Sequence, residues 1–194
     1  MSFERLISSI GAELTNAGIP YMIIGGHAVL LYGEPRLTKD IDITLGIDTD
    51  RENELREAIK KLKLEPLISD DTFIKRTMVL PTIDVDSKIR VDFIFSFTPY
   101  EQQAIKRGKK ISICNVIVNY ASIEDLIIHK IFAGRPRDLE DVNLILLKNR
   151  DIDHDYIRKW LAEFDRSAEE SSFLKTYNEL VRRIDKNGLS VKSK

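Results

Sequence analysis

The chain has 194 residues, 43% of them hydrophobic, and its 30 Lys and Arg residues against 31 Asp and Glu residues give a formal net charge of -1. This length allows one domain with its own core, and the balanced charge does not indicate a strongly basic surface, so any contact with nucleic acid would have to be local. The single cysteine has no disulfide partner, the N-terminus lacks a secretory-signal pattern, and no apolar run reaches the about 18 residues that span a bilayer. We therefore expect a cytoplasmic protein without membrane contact.

The spacing of apolar residues predicts alternating helices and strands, followed by helices alone. In chain order the predicted elements are helix 3–17, strand 21–24, helix 27–32, strand 39–45, helix 51–63, two or three strands within 72–97 of which the last is 89–95, helix 99–107, a hairpin-like pair of strands within 109–119, and helices 123–133, 137–148, 155–165 and 168–185. This order indicates the α/β (α+β) class, with a mixed sheet, helices packed largely on one face and further C-terminal helices. We expect residues 1–121 to form the α/β core and residues 122–194 to form a helical part packed on it.

Two carboxylates alternate with apolar residues in the predicted strand KDIDITL. A strand would bury Ile41, Ile43 and Leu45 on one face and direct Asp40 and Asp42 to the other, about 6 to 7 Å apart. Two acids at this spacing can share a hard cation. A D-x-D pattern alone is common at solvated sheet edges, so the surrounding residues decide its meaning.

A third acid, Asp92, interrupts another apolar strand between Val91 and Phe93. A carboxylate among apolar neighbours is costly unless a cation pairs with it, which favours Asp92 as the partner of the D-x-D acids. Asp84 and Asp86 lie nearby in the sequence and could fill the same role. Oxygen-only ligands suit Mg²⁺ or Mn²⁺, and a two-metal cluster is the usual arrangement for displacement at phosphorus.

A double glycine, Gly25-Gly26, ends the first predicted strand and leads into a helix. The free N–H groups and the dipole at a helix N-terminus favour phosphate. Arg36 and Thr38, in the loop before the D-x-D strand, add a positive charge and a hydroxyl donor. Together these residues predict a binding site for a nucleoside triphosphate.

This combination resembles the nucleotidyltransferases of the DNA polymerase beta superfamily, whose signature is a Gly-Gly or Gly-Ser turn opening a helix, D-x-D on one strand and a third acid on another. The branch it resembles most contains the AbiEii-type toxin nucleotidyltransferases and related uncharacterised proteins, which carry R-x-T-x-D-I-D. The resemblance covers roughly residues 20–142, including the segments 124–130 and 135–141. It implies a nucleotidyltransferase-type sheet.

The resemblance also implies an activity: transfer of a nucleoside monophosphate from an NTP to an acceptor hydroxyl, with release of pyrophosphate and with Mg²⁺ or Mn²⁺ as cofactor. The residues expected to bind metal and act in catalysis are Asp40, Asp42 and Asp92, and those expected to bind the nucleotide are Gly25, Gly26, Arg36, Thr38 and Lys130. Lys130 could equally be a surface lysine, and Asp138 and Asp141 could simply offset a helix dipole.

The acceptor stays open at this point between transfer RNA or another RNA, a protein hydroxyl and a small molecule. A toxin role would bring an antitoxin protein as partner. Many catalytic members of the superfamily have serine where this chain has Gly26, although the backbone donors persist. The alternative is therefore a nucleotide-binding or interaction module of the same fold with weak or no catalysis.

Overall fold

The structure is a computed structural model that describes residues 2–35, 37–68, 70–167 and 172–191. Within these ranges the chain forms nine α-helices, a short 3₁₀ helix at Thr49–Arg51 and seven strands. They are α1 (Phe3–Asn16), β1 (Tyr21–Ile24), α2 (Gly25–Tyr32), β2 (Asp40–Leu45), α3 (Glu52–Lys61), β3 (Leu64–Pro66), α4 (Asp71–Thr77), β4 (Val79–Asp84), β5 (Arg90–Phe95), α5 (Pro99–Arg107), β6 (Lys109–Ile113), β7 (Val116–Tyr120), α6 (Ile123–Ala133), α7 (Pro136–Lys148), α8 (His154–Ser167) and α9 (Phe173–Val191).

The chain divides into two compact units. The first comprises Met1–Ala28 and Leu37–Ser122 and contains the whole sheet, whereas the second comprises Val29–Arg36 and Ile123–Lys194 and is helical. The division falls within α2. Among the described helices, none combines the length and the apolar character that crossing a membrane requires.

The sheet of the first unit has the strand order β3-β4-β5-β2-β1-β7-β6. Strand β2 is parallel to β5, and β1 is parallel to β7, while the remaining neighbours are antiparallel. The predicted α/β class with a mixed sheet is therefore confirmed. Because the two central strands β2 and β5 run in the same direction, residues near their N-terminal ends lie at one end of the sheet.

Apolar residues occupy every second position of the central strands and form an apolar layer on one side of the sheet. The side chains of Ile41 and Ile43 on β2 and of Val91 and Phe93 on β5 are fully buried. Helix α1 packs on β7 at close range, since a Cβ atom at Gly11 would lie 3.1 Å from a methyl group of Val118. This layer holds the two acid-bearing strands in a fixed register.

The second unit is built on the short, apolar helix α6. Leu126, Ile127 and Ile128 are fully buried, so no broad polar face remains on the middle of this helix. Tyr177 of α9 is also fully buried, and its hydroxyl lies 2.6 Å from Nδ1 of His154 at the start of α8. These contacts join α8 and α9 into the helical core of this unit.

The segment before β4 differs from the sequence prediction. Residues 72–77, expected to be part of a strand, form most of helix α4, and the short edge strand β3 was not predicted. The helix begins because the carboxylate of Asp70 accepts a hydrogen bond of 2.9 Å from the backbone N–H of Thr72, and it ends where Met78 adopts a left-handed conformation. Local capping therefore outweighs the strand preference of Thr72, Phe73 and Ile74.

Two helix boundaries also differ. Helix α2 begins at Gly25 rather than at residue 27, so the double glycine opens the first turn of the helix. Of the predicted helix 168–185, residues 168–171 lie outside the described residues, and α9 runs from Phe173 to Val191.

Candidate active site

The register between β2 and β5 brings two of the predicted acids side by side. In this parallel pair Asp42 is the partner of Asp92, and Asp40 is the partner of Arg90. Paired residues of neighbouring strands lie about 5 Å apart and direct their side chains to the same face of the sheet. Asp42 and Asp92 are half-buried and Asp40 is exposed, so the three carboxylates form an acidic patch that solvent can reach.

The alternative third acids have other positions. The carboxylate of Asp84 is buried and accepts hydrogen bonds from the backbone N–H of Ser87, at 2.8 Å, and from the Ser87 hydroxyl, so it closes the turn between β4 and β5. Asp86 lies exposed in the same turn. Of the three candidates, Asp92 is the one that the strand register pairs with the D-x-D acids.

Gly25 and Asp42 are in direct contact across the antiparallel pair β1 and β2, where Ile24 is the partner of Asp42. The backbone φ of Gly25 is +64°, and a Cβ atom at this position would lie 1.9 Å from Oδ2 of Asp42. Both facts require glycine here, because any other residue would be strained and would displace the carboxylate. The glycine turn and the D-x-D strand thus form one structural unit.

The start of α2 is fixed by an aromatic stack around His27. The imidazole lies parallel to the ring of Phe3, with 4.9 Å between centroids, and its Nδ1 is 2.9 Å from the hydroxyl of Tyr120. Burial lowers the pKa of His27 below its ordinary value, although the charge of Glu4 acts in the opposite direction. The stack therefore holds a neutral ring directly after the two glycines, at the helix end where phosphate is expected.

Thr38 is hydrogen-bonded to Asp40, two residues further along the chain. Its hydroxyl donates a hydrogen bond of 2.9 Å to Oδ1 of Asp40, which orients the exposed carboxylate. The predicted contact of Thr38 with a triphosphate would have to coexist with this bond or replace it. The other loop residue of the prediction, Arg36, lies outside the described residues.

Arg90 is a site residue that the sequence interpretation missed. Its Nε donates to Oδ1 of Asp92 at 2.7 Å. This hydrogen bond, followed by the charges of Asp92, Asp40 and Asp42, raises the pKa of Arg90. The signal was present in the sequence, because residues two apart on a strand share a face and an R-x-D pattern therefore places a cation beside the acid.

The donor set fits a hard divalent cation in its chemistry. The side chains of Asp40, Asp42, Asp92 and Thr38 offer carboxylate oxygens and a hydroxyl, which are the ligands that such a cation prefers. Within the described part of the chain, however, no three His, Cys, Asp or Glu side chains are arranged to hold one ion. Asp92 is instead bonded to Arg90, and Asp40 to Thr38.

Lys130 belongs to a buried ion cluster in the second unit. Its Nζ lies 2.9 Å from Oδ1 of Asp138 and 2.7 Å from Oδ2 of Asp141, and its side chain is 5% exposed. Burial acts to raise the pKa of Asp138, but hydrogen bonds from Arg135 and Lys130 lower it overall. Lys130 is therefore not a surface lysine, and the two acids do more than offset the dipole of α7.

A mixed sheet with a glycine turn before a D-x-D strand and with a third acid on the adjoining parallel strand is the arrangement of nucleotidyltransferases. Residues 3–188 match the family described as nucleotidyltransferase of unknown function (DUF6036), and the chain belongs to this family. No curated protein matches the chain. The narrower resemblance to the AbiEii-type branch stays a prediction.

Solved structures share the fold. They include ANT(2")-Ia in complex with adenylyl-2"-tobramycin, with a TM-score of 0.57, 20% identity and coverage of 85% of this chain and 98% of that one. An antigenic nucleotidyltransferase-like protein from Paracoccidioides brasiliensis has a TM-score of 0.54, 18% identity and coverage of 89% and 92%. The lincomycin-bound lincosamide antibiotic adenylyltransferase LnuA has a TM-score of 0.52, 12% identity and coverage of 73% and 95%. At these identities the likeness shows a common fold.

Proposed function

We propose that this protein transfers a nucleoside monophosphate from an NTP to an acceptor hydroxyl, with Mg²⁺ or Mn²⁺ as cofactor and pyrophosphate as the second product. The observation that carries the proposal is the pairing of Asp42 with Asp92 on parallel strands while Gly25 contacts Asp42 from the other side. This juxtaposition supports the proposal, because a helix N-terminus favours phosphate and neighbouring carboxylates favour a hard cation.

Each acid has a proposed task. Asp40 and Asp42 would hold both metal ions, with the Asp40 carboxylate oriented by the Thr38 hydroxyl. Asp92 would contribute to the catalytic metal position and accept the proton of the acceptor hydroxyl. The divalent ions, when bound, would neutralise the triphosphate and favour ionisation of that hydroxyl.

The reaction forms one phosphorus–oxygen bond and breaks another. The acceptor oxygen bonds to the α-phosphorus of the NTP as its proton passes to Asp92, and the bond between the α-phosphorus and the bridging oxygen to the β-phosphorus breaks. Pyrophosphate then leaves with the electron pair of that bond. The backbone of Gly25 and Gly26 at the start of α2 would bind the triphosphate, together with Arg36 and Thr38.

Lys130 is proposed to bind the nucleotide and to balance charge during transfer. Its two carboxylate partners, Asp138 and Asp141, would hold the ammonium group in place. A purely structural role of this ion cluster is the competing explanation. Substitution of Lys130 separates the two, as described in the Discussion.

The acceptor is proposed only as a hydroxyl, on a transfer RNA or another RNA, on a protein or on a small molecule. Two proteins of the same fold were solved with an adenylylated antibiotic or with an antibiotic bound, which supports a hydroxyl acceptor in this fold. An antitoxin protein partner would follow if the resemblance to the AbiEii-type branch extends to function.

The test is a labelling reaction with α-³²P-labelled NTPs, Mg²⁺ and total cell extract. Wild-type protein should label an acceptor, and the variant Asp40→Asn/Asp42→Asn should not. If the wild-type protein labels nothing in the RNA, protein and small-molecule fractions, the catalytic proposal is wrong. NTP binding measured by calorimetry in the same preparation then decides whether the alternative, a nucleotide-binding module without catalysis, is correct.

A further inference from the structure

Arg90 lies where a cation can interact with every acid of the patch. It is the strand partner of Asp40, its guanidinium is hydrogen-bonded to Asp92, and its side chain is 53% exposed, so the bond is open to solvent at one side. The inference drawn from this position rests on the proposed function, because it concerns how the carboxylates receive a divalent cation.

The bond between Arg90 and Asp92 engages Oδ1, one of the two oxygens through which this carboxylate could coordinate a metal ion. A guanidinium donates N–H groups to the lone pairs of a carboxylate, and a divalent cation coordinates to the same lone pairs. The guanidinium and a bound divalent cation would also repel each other, because two positive charges would then lie beside the same three acids. Arginine cannot give up its charge to relieve that repulsion, because its pKa lies far above neutral pH.

We propose that Arg90 is the internal counter-cation of the acidic patch: it holds Asp92 while no divalent ion is bound, and it must leave Asp92 when the carboxylate joins Asp40 and Asp42 around a metal. Two observations fit together in this way. The carboxylates of Asp42 and Asp92 share a register and a face, yet the described acids are not gathered around one point. The Arg90–Asp92 bond engages one of these carboxylates with a cation of the protein itself.

The proposal predicts that removing Arg90 strengthens metal binding. Mn²⁺ titration, followed by calorimetry and by the free-ion EPR signal in the absence of nucleotide, should give an affinity about two- to fivefold higher for Arg90→Gln than for wild type, the range expected for breaking a solvent-accessible ion pair. Arg90→Lys keeps the charge and should stay close to wild type. The difference between wild type and Arg90→Gln should shrink as salt is raised, because ions screen the exposed guanidinium.

A double-mutant cycle separates competition from a general structural effect. In an Asp92→Asn background the guanidinium no longer has a carboxylate to hold, so the further change Arg90→Gln should alter Mn²⁺ affinity much less than it does in wild type. Circular dichroism and thermal melting of each variant verify that it is folded. A change of equal size in both backgrounds would show that Arg90 acts independently of Asp92 and would overturn the proposal.

The outcomes also separate this inference from the proposed function. If Asp40→Asn/Asp42→Asn binds Mn²⁺ as well as wild type does, the metal site itself is wrong. If that variant loses binding while Arg90→Gln shows unchanged or weaker Mn²⁺ affinity, the metal site stands and the role of Arg90 as a competing cation is wrong. A weaker affinity would mean that Arg90 presents Asp92 to the metal.

Discussion

A Cβ atom on Gly25 would lie 1.9 Å from Oδ2 of Asp42, so a larger residue at the start of α2 would displace the Asp42 carboxylate. Glycine at this position satisfies both a left-handed backbone and a close side-chain approach. The pairing of these two residues links the sheet to the N-terminus of α2.

Replacing Gly25 with alanine should reduce activity far more than a change in backbone preference explains. The left-handed conformation alone costs a non-glycine residue about 1 to 2 kcal/mol. Displacement of Asp42 should lower the labelling rate by about 100-fold, as expected for a catalytic group moved by about 1 Å.

The matched control is Gly18→Ala, because Gly18 has the same φ of +64° but no atom within 4 Å of its Cβ position. This variant should lose comparable backbone stability in urea unfolding and keep the labelling rate of wild type. Equal rates in the two alanine variants would contradict the role of the Gly25–Asp42 contact.

The identity of the third acid can be tested with a second pair of variants. Asp92→Asn should lower the labelling rate about 100-fold or more, since it removes the residue proposed both as a metal ligand and as the proton acceptor. Asp86→Asn, at an exposed position in the β4–β5 turn, should leave the rate unchanged. Loss of activity in Asp86→Asn with retention in Asp92→Asn would reverse the assignment.

The buried His27 predicts a pH dependence of stability. Its pKa in the folded protein is lowered from 6.5, so just below pH 6.5 the unfolded chain binds more protons than the folded protein does. The free energy of unfolding should therefore fall as the pH drops through this window, and it should fall less in His27→Gln.

Urea unfolding at several pH values between about 5 and 8 measures this dependence, because it brackets the ordinary pKa of histidine. At the upper end of this range residue 27 is neutral in both wild type and His27→Gln. The difference in their free energies of unfolding there reports the lost stacking with Phe3 and the lost bond to Tyr120. If the free energy of unfolding of the two proteins has the same pH dependence, the pKa of His27 does not differ between the folded and unfolded states and the prediction is wrong.

Lys130→Met should be strongly destabilising. It leaves Asp138 and Asp141 buried with one cationic partner fewer, and breaking a buried ion pair in this way costs about 3 to 5 kcal/mol. The control Lys61→Met removes the ion pair with Glu13, in which the lysine is 65% exposed, and should cost less than about 1 kcal/mol.

Chemical denaturation gives both values, and the triple variant Lys130→Met/Asp138→Asn/Asp141→Asn should recover part of the loss because it removes the buried charges that have lost Lys130 as a partner. If the triple variant is folded and labels an acceptor at the wild-type rate, Lys130 serves stability only. A folded but inactive triple variant would support its contact with the nucleotide.

Local patterns were enough to predict much of the sheet and the positions of the acids. Alternation of isoleucine and aspartate identified β2, and the apolar flanks of Asp92 identified β5 as its counterpart. The helix at 71–77 was missed because Thr72, Phe73 and Ile74 favour strands, whereas the capping bond from Asp70 depends on one side-chain orientation.

The rest of the site depends on contacts between residues that are distant in sequence. The stack of Phe3, His27 and Tyr120 joins α1, α2 and β7, and no periodicity in the chain indicates it. The ion pairs of Lys130 depend on how α6 and α7 pack, although the pattern of acids in the first turns of α7 was visible. Arg90 could have been found from its spacing to Asp92, which requires only the alternation of a strand.

The acidic patch forms only when β2 pairs with β5. This pairing requires that the intervening elements have folded, which are α3, β3, α4 and β4. An unfolded chain can offer a divalent cation single carboxylates but not this set. The proposed metal site therefore requires a completely folded first unit, and if Mn²⁺ binds there, an excess of Mn²⁺ over its dissociation constant should slow proteolysis of this unit through mass action on the native state.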